Sequence, residues 1–169
     1  MRLRHCLFML SAAVIAGCAT YGADLVPGQS SATDVESLLG QPTAVVEKKD
    51  GGSVLWYSKL PAGRESYAAE IDPRGTLVSF DQRLTDLNIA RLQPNVSTEQ
   101  DVMEIVGPPS RRWKYPLKEM EAWEYPLRTS VEPMTLFVDV SPDHVVRNVY
   151  KLLDRGRCRI MIAGMCLDQ

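Results

Sequence analysis

Hydrophobic and polar residues follow a helical period at two places in this 169-residue chain. At the first place, Val35, Leu38 and Leu39 have the spacing of one helix face, and Gly40 ends the run where a left-handed residue is favoured. Ser31 precedes the run and is the expected N-cap. This pattern predicts a short helix with defined ends.

The same order of capping residue, apolar stripe and terminal glycine recurs in the second half of the chain. Thr98 is the expected N-cap, the apolar stripe is formed by Val102, Ile105 and Val106, and Gly107 ends it. A second helix of similar length is therefore predicted.

Segments with strand-like alternation follow each helix and are separated by turn signals such as Asp50-Gly51-Gly52. A short capped helix is also predicted between the two halves, at 85–92. Each half thus predicts a helical segment packed on an antiparallel sheet of three or four strands, which is an α+β arrangement. The predicted strands are 44–48, 53–58, 67–72, 77–80, 111–115, 121–125, 134–140 and 145–150.

The two halves are copies of one pattern, displaced by a constant 67 positions. Glycine, proline and tryptophan positions all hold this offset, and chance would not preserve it because these residue types are rarely interchangeable. One supersecondary unit built twice is therefore expected. The matched pairs are Pro27 with Pro94, Ser30 with Ser97, Asp34 with Asp101, Val35 with Val102, Gly40 with Gly107, Pro42 with Pro109, Trp56 with Trp123, Leu60 with Leu127, and Asp72 with Asp139.

The N-terminal segment has the pattern of a secretory signal. Arg2 and Arg4 precede an apolar run over 6–16, which is too short for a membrane-spanning helix of about 20 residues. The run ends in Gly17-Cys18 and resembles the bacterial lipobox, which implies cleavage between these two residues and lipidation of Cys18. Several acyl chains on one cysteine make a stable tether. An ordinary secretory signal with an incidental cysteine is the alternative.

Two further cysteines, Cys158 and Cys166, remain near the C-terminus. In an oxidising compartment such a pair predicts a disulfide, which would stabilise the tail by about 2–3 kcal/mol on the chain-entropy model. Two free thiols and half of a metal site are the alternatives. The metal interpretation is the weaker one, because a site needs three or four ligands and only one histidine lies nearby in the sequence.

Charge and motif content argue against nucleic-acid binding and against catalysis. Removal of the signal takes away two arginines and no acidic residue, so the formal charge of the mature chain is −4 rather than −2. His144 is then the sole histidine, and the sequence has no Gly-x-Ser-x-Gly motif, phosphate loop or paired metal motif. Asp72 and Asp139 are expected to accept hydrogen bonds from turn backbones. We therefore expect no catalytic residues, no metal and no cofactor.

The aromatic residues allow two interpretations. Trp56 and Trp123 are either interface anchors, since tryptophan dominates many binding hot spots, or core residues packed on the helix stripe of their own copy. The core interpretation is favoured. Trp113, Tyr57 and Tyr125 are then the better candidates for exposed aromatics that bind a partner.

Arg111 and Arg112, with Lys114, form the one local basic cluster of the chain. This cluster faces either anionic lipid headgroups near the tether or bulk solvent on an ordinary strand face. The two arginines are therefore further partner-binding candidates.

A longer set of motifs recurs in order in both copies. It consists of Pro27-Gly28-Gln29-Ser30-Ser31, Val35, Leu39-Gly40, Pro42, Asp50-Gly51-Gly52 and Trp56-Tyr57 in the first copy, and of Leu92-Gln93-Pro94, Val102, Val106-Gly107, Pro109 and Trp123-Glu124-Tyr125 in the second. This set resembles the BamE-type (SmpA/OmlA) small outer-membrane lipoproteins. The second copy departs from that pattern by having Pro94-Asn95 at its entry and 117–120 in place of a glycine turn.

The resemblance implies helices against an antiparallel sheet and a non-catalytic accessory role in outer-membrane β-barrel assembly or envelope integrity. Barrel-assembly subunits are then candidate partners, and the periplasmic face of the outer membrane is the expected location. A typical member has one unit, whereas this chain has two. Tandem copies of a similar unit also occur in secreted β-lactamase-inhibitor proteins. A periplasmic protein-binding or inhibitor-like module is therefore the alternative.

Five segments follow from these patterns. The folded part is expected to begin directly after a short leash. The segments are a signal peptide at 1–17, a lipidated tether at 18–26, a first unit at 27–84, a second unit at 85–153, and a tail with the predicted disulfide at 154–169.

Overall fold

The computed structural model describes residues 21–130, 132–153, 161–162 and 165–166. The predicted signal peptide, Cys18 and Cys158 lie outside these residues, so lipidation and the disulfide stay predictions. No helix in the described ranges is long and apolar enough to cross a membrane. The elements are α1 (Ala32–Leu39), β1 (Ala44–Glu47), β2 (Ser53–Ser58), β3 (Ser66–Ile71), β4 (Leu77–Gln82), α2 (Asp86–Ile89), α3 (Glu99–Ile105), β5 (Arg111–Lys114), β6 (Glu121–Leu127), β7 (Met134–Val140), β8 (Val146–Leu153), β9 (Met161–Ile162) and β10 (Met165–Cys166).

The two longer helices have the predicted caps. The Ser31 side chain accepts the amide of Asp34 at 3.2 Å, and the Asp34 carboxylate accepts the amide of Ser31 at 2.8 Å. Thr98 and Asp101 form the same reciprocal pair at the start of α3. Gly40 follows α1 with φ of 84°, in the left-handed region that favours glycine. Local sequence alone therefore accounts for where these helices begin and where α1 ends.

The eight longer strands form two four-stranded antiparallel sheets. Sheet one has the order β1-β2-β3-β4, and sheet two has the order β5-β6-β7-β8. The short strands β9 and β10 pair with each other. The fold is thus α+β with two four-stranded antiparallel sheets, which confirms the predicted class.

The two units share a hydrogen-bond framework, but the predicted constant offset is wrong beyond the first strand of each sheet. The Thr43 amide donates to the Trp56 carbonyl at 2.7 Å, whereas the Ser110 amide donates to the Glu124 carbonyl at 2.9 Å. Glu124 is therefore the structural counterpart of Trp56, and Trp123 is not. One extra residue in the β5–β6 turn causes this shift.

A second extra residue between β6 and β7 moves the aspartates out of correspondence. The Asp72 amide donates to the Thr76 carbonyl at 2.9 Å, and the Ser141 amide makes the equivalent bond to the Val145 carbonyl at 3.0 Å. Ser141 is thus the counterpart of Asp72. The counterpart of Asp139 is Glu70, and the pairing register shifts directly after each of these two residues.

Only one of the two aspartates accepts turn amides as predicted. The Asp72 carboxylate accepts the amides of Arg74 and Thr76, both at 2.9 Å. Asp139 is buried on the sheet instead and accepts hydrogen bonds from Tyr115 and Asn148. The prediction for Asp139 is wrong because a small change of register moves a side chain to another environment.

The elements stack in four layers: α1, sheet one, α3 and sheet two. The front face of sheet one packs on α1, and its back face packs on Met103 of α3. The other side of α3 packs by Val102 and Val106 on the inner face of sheet two. The front face contains Leu55, Tyr57, Ala69, Ile71 and Leu77; the back face contains Val46, Val54, Trp56 and Ala68; and the inner face contains Trp123, Tyr125, Leu136 and Val138.

Candidate protein-binding surface

Both repeated tryptophans are core residues, as favoured from the sequence. Trp56 and Trp123 are completely buried. Trp123 packs with Val102 and Val106 of the helix in its own unit. Trp56 packs with Met103, which belongs to the helix of the other unit. The expectation that each tryptophan packs on its own helix is therefore right for Trp123 and wrong for Trp56.

The expectation that Tyr57 and Tyr125 are exposed is wrong. They are 4% and 0% exposed, and their hydroxyls donate to the carbonyls of Gly40 at 3.2 Å and Gly107 at 2.9 Å. Carbonyls at a helix C-terminus lack intrahelical hydrogen-bond donors, and the two tyrosine hydroxyls act as the donors here. Burial raises the pKa of Tyr57 to about 12 and that of Tyr125 well above its ordinary value. Both residues join a helix end to its sheet and are not available to a partner.

The predicted basic cluster is divided between the two faces of β5. The Arg112 guanidinium lies 3.8 Å from the centroid of the Trp123 ring and 3.4 Å from a carboxylate oxygen of Glu99. Arg111 lies on the opposite face with Trp113, 5.9 Å from the centroid of that ring. Within the ranges that the structure describes, Arg111 makes no ion pair. Arg111 is therefore the arginine of this pair that is free to meet a partner's charge.

The second face of sheet two, which we call the outer face, is defined by Arg111, Trp113, Ala122, Glu124, Phe137 and Tyr150. Strand alternation places these residues opposite the inner face. Trp113 is 50% exposed, and the rings of Phe137 and Tyr150 stack with centroids 5.5 Å apart. The outer face thus presents three aromatic side chains, of which Trp113 is the most accessible.

A hydrogen-bond network holds this surface in place. The Tyr115 hydroxyl donates to the Asp139 carboxylate at 3.1 Å and lies 3.0 Å from the Tyr150 hydroxyl. Asn148 donates to the other carboxylate oxygen of Asp139 at 3.0 Å. The hydrogen bond with Tyr150, burial and the carboxylate together raise the pKa of Tyr115, so its phenol stays protonated at neutral pH. A surface fixed in this way loses little side-chain entropy when it binds a partner.

Sequence analysis did not single out Phe137, Tyr150 or Tyr115 as site residues. A signal was present in the predicted strand 134–140, where Phe137 alternates with the apolar residues Leu136 and Val138 and must face the other way. The sequence did not show that this face of sheet two is left without a helix packed on it among the residues described.

A cleft of about 650 Å³ lies beside the β5–β6 turn. Glu99 and His144 line it, with a carboxylate oxygen of Glu99 2.7 Å from Nδ1 of the largely exposed His144 side chain. Over the described ranges, no group of three or more histidine, cysteine, aspartate or glutamate side chains is arranged to hold a metal ion. The cleft is lined mainly by turn residues, and we assign no function to it.

Two solved structures are similar to this chain at low TM-scores. A DUF4309 family protein (YjgB) from Bacillus subtilis has a TM-score of 0.31 and 16% identity, over 80% of this chain and 86% of that one. A candidate β-lactamase inhibitor protein from Streptococcus mutans has a TM-score of 0.34 and 12% identity, over 73% of this chain and 82% of that one. No protein-family model and no curated protein matches the chain. At these scores the likenesses carry no argument about function, and membership of the BamE-type family is not shown.

Proposed function

We propose that this chain is a non-enzymatic, lipid-anchored protein of the outer membrane that binds another protein on the outer face of sheet two. One observation carries the proposal: two structurally equivalent sheet faces differ in whether they are covered. The back face of sheet one is buried under α3, and its Trp56 is completely covered. The equivalent face of sheet two presents the half-exposed Trp113. Exposed tryptophans of this kind are enriched among binding hot spots.

The outer face favours a partner with both apolar and acidic groups. Trp113 and the stacked rings of Phe137 and Tyr150 are complementary to an apolar side chain. Arg111, which has no ion pair in the described ranges, is complementary to a carboxylate. We therefore expect the partner to present an apolar residue next to an aspartate or glutamate.

Two roles are compatible with such a surface. The sequence resemblance to BamE-type lipoproteins supports an accessory role in outer-membrane β-barrel assembly or envelope integrity. In the second role, the chain captures or inhibits a soluble periplasmic protein. The lipid anchor at Cys18 separates the two roles, because only a membrane-bound partner requires the chain to be anchored.

The test is affinity purification of the tagged chain from crosslinked, detergent-solubilised envelopes, followed by quantitative mass spectrometry. Trp113→Ala should reduce recovery of the partner at least tenfold, since loss of a hot-spot aromatic costs about 2 kcal/mol or more. Val45→Ala is the matched control, because Val45 is equally exposed but lies on the edge strand of sheet one. Its partner recovery should equal that of the unchanged chain.

Cys18→Ala then assigns the role. Loss of barrel-assembly subunits with this variant supports the accessory role, whereas an undiminished soluble periplasmic partner supports capture. The affinity of the purified partner for the chain, measured by calorimetry, should repeat the ranking of the variants. Equal recovery of every partner by Trp113→Ala and Val45→Ala would exclude the outer face as the binding surface.

A further inference from the structure

The first described residues are packed against sheet one. The Tyr21 ring contacts the Tyr67 ring edge-on, with centroids 4.9 Å apart, and the Lys59 ammonium lies 3.6 Å from the Tyr21 centroid. Gly22 is so close to Phe80 that an added Cβ would lie 2.3 Å from its ring. The part of the expected tether that begins at Tyr21 therefore belongs to the folded body.

The free leash is very short as a result. Cys18 precedes Tyr21 by three positions, and three extended peptide steps span at most about 11 Å. The headgroup layer on each side of a bilayer is about 5–8 Å thick. This step rests on the lipidation of Cys18 proposed above: once Cys18 is acylated, Tyr21 lies at or just above the headgroups.

The surface next to Tyr21 is the end of both sheets. Lys59 begins the loop that joins β2 to β3. Glu65 in the same loop pairs with Arg128, which follows β6, at 3.3 Å. The β2–β3 loop of sheet one and the end of β6 in sheet two therefore lie together, close to the point where the tether leaves.

The same end carries exposed apolar side chains. The Arg83 amide, just before α2, donates to the carbonyl of Ser66 at the start of β3. Lys151 near the end of β8 hydrogen-bonds to Asp86 of α2. Leu87 beside that contact is 80% exposed, and the terminal residues of β8 are about half exposed. We call the surface formed by Lys59, Leu87, Arg128, Leu152 and Leu153 the basal surface.

We propose that the basal surface rests on the phospholipid headgroups and that the short tether holds it there. Exposed leucines enter the interface, and the Lys59 and Arg128 side chains reach lipid phosphates. The strands then extend from the basal surface away from the membrane. Trp113 pairs with Ala122, five residues before the end of β6 at Leu127, so it lies roughly 17 Å above the basal surface. A partner on the outer face is met beside the membrane, in the periplasm.

The test places a photoreactive amino acid at position 62, an exposed alanine in the same β2–β3 loop as Lys59, or at position 87 of the full-length, purified chain. Position 117 is the control, since Leu117 is fully exposed in the β5–β6 turn at the opposite end of the strands. The protein is reconstituted into vesicles of phosphatidylethanolamine and phosphatidylglycerol and irradiated. Lipid adducts are then measured by mass spectrometry. We expect adducts at positions 62 and 87 at least fivefold above position 117.

A linker of twenty glycine and serine residues, inserted between Thr20 and Tyr21, should lower these adducts to the level of position 117. Intact mass separates the two proposals: a chain without acyl mass would overturn both the anchor and this inference. An acylated chain with equal adducts at all three positions, or with photoproducts only to its own C-terminal segment, would overturn this inference alone. Full adduct yield despite the inserted linker would also overturn it.

Discussion

The back face of sheet one and the outer face of sheet two share a backbone framework and differ in side chains. The counterparts of Val46, Trp56 and Ala68 are Trp113, Glu124 and Phe137. In sheet one, small and apolar residues surround one large ring, and α3 packs on it. In sheet two, the large rings are distributed around a charged residue. One of the two equivalent faces therefore contributes to the core, whereas the other retains a half-exposed tryptophan.

The helices α1 and α3 also differ at the position by which α3 faces the neighbouring sheet in the stack. Met103, which α3 presents to sheet one, corresponds to Glu36 in α1. A second copy of the chain that offered α1 to the outer face would bring Glu36, and not an apolar residue, to the position that Met103 occupies against sheet one. Continuation of the stack by a second copy is therefore disfavoured, which favours a different molecule as the partner of the outer face.

Trp56→Ala tests the buried face. Removal of a fully buried tryptophan should lower the free energy of unfolding by about 3–5 kcal/mol. Trp113→Ala, at a half-exposed position, should change it by less than about 1 kcal/mol. Chemical denaturation of the two purified variants measures both values. Equal losses would mean that the outer face is as much a part of the core as the back face.

Trp56→Phe sharpens this result. The indole Nε1–H of Trp56 is buried without an acceptor among the described residues. Phenylalanine removes that donor and keeps an aromatic ring, so it should retain most of the stability that alanine loses. A loss as large as that of Trp56→Ala would show that the shape of the indole, rather than apolar burial, holds α3 on sheet one.

A pair of glycine substitutions isolates the contact between α3 and sheet one. Gly40 and Gly107 follow equivalent helices with φ of 84° and 85°, so alanine is strained by about 1–3 kcal/mol at either position. An added Cβ at Gly40 has no neighbour within 4 Å, whereas at Gly107 it would lie 2.5 Å from the Trp56 ring. Gly107→Ala should therefore cost about 1–3 kcal/mol more than Gly40→Ala in the same denaturation experiment. Equal costs would place the strain in the backbone alone.

Local sequence was sufficient for the helices, their caps and the eight strands of the two sheets, whereas β9 and β10 were not predicted. Ser31 and Thr98 cap α1 and α3 because their side chains reach amides only three residues away. The strands follow from alternation over a few residues, and the α+β class follows from their order. None of these features depends on what lies far away along the chain.

Local sequence did not predict the strand register of the second unit or the packing of Trp56 on the helix of the other unit. Each unit alone suggests that its tryptophan packs on its own helix, yet α3 lies between both sheets and covers Trp56 as well. The single extra residues in two turns of the second unit also conceal the true correspondence, because Trp56 and Trp123 keep the constant offset although they are not structural counterparts. Likewise, a tyrosine in an alternating strand does not reveal that its hydroxyl reaches the carbonyl of Gly40 or Gly107.

The equivalent carboxylates Glu70 and Asp139 have different hydrogen-bond partners, which predicts different pH dependence in the two sheets. Glu70 accepts a hydrogen bond from Lys48 at 2.6 Å and one from Arg83 at 3.2 Å. These bonds, with that from Lys48 first, lower the pKa of Glu70 from its ordinary 4.5. Its stabilising effect is therefore complete above pH 4.5 and is lost as pH falls through the lowered value. Glu70→Gln should cost about 1.5 kcal/mol at pH 7 and less as the pH approaches 2. A cost that is constant with pH would show that the charge is irrelevant.

In sheet two, the counterpart of Lys48 is Tyr115, so the corresponding effect moves to the alkaline side. The pKa of Tyr115 is raised by the hydrogen bond with Tyr150, by burial and by Asp139. The protonated phenol therefore stabilises the fold fully below pH 10, and this contribution is lost as pH rises through the raised value.

Tyr115→Phe should cost about 1 kcal/mol at neutral pH and make the decline in stability above pH 10 shallower. The decline should not vanish, because the buried hydroxyls of Tyr57 and Tyr125 also have raised pKa values. Thermal unfolding of Tyr115→Phe and of the unchanged chain, followed by circular dichroism between pH 7 and 11, measures the difference. An unchanged alkaline slope in Tyr115→Phe would mean that the network under the outer face does not hold its proton, and that the rigidity of this face comes from ring packing alone.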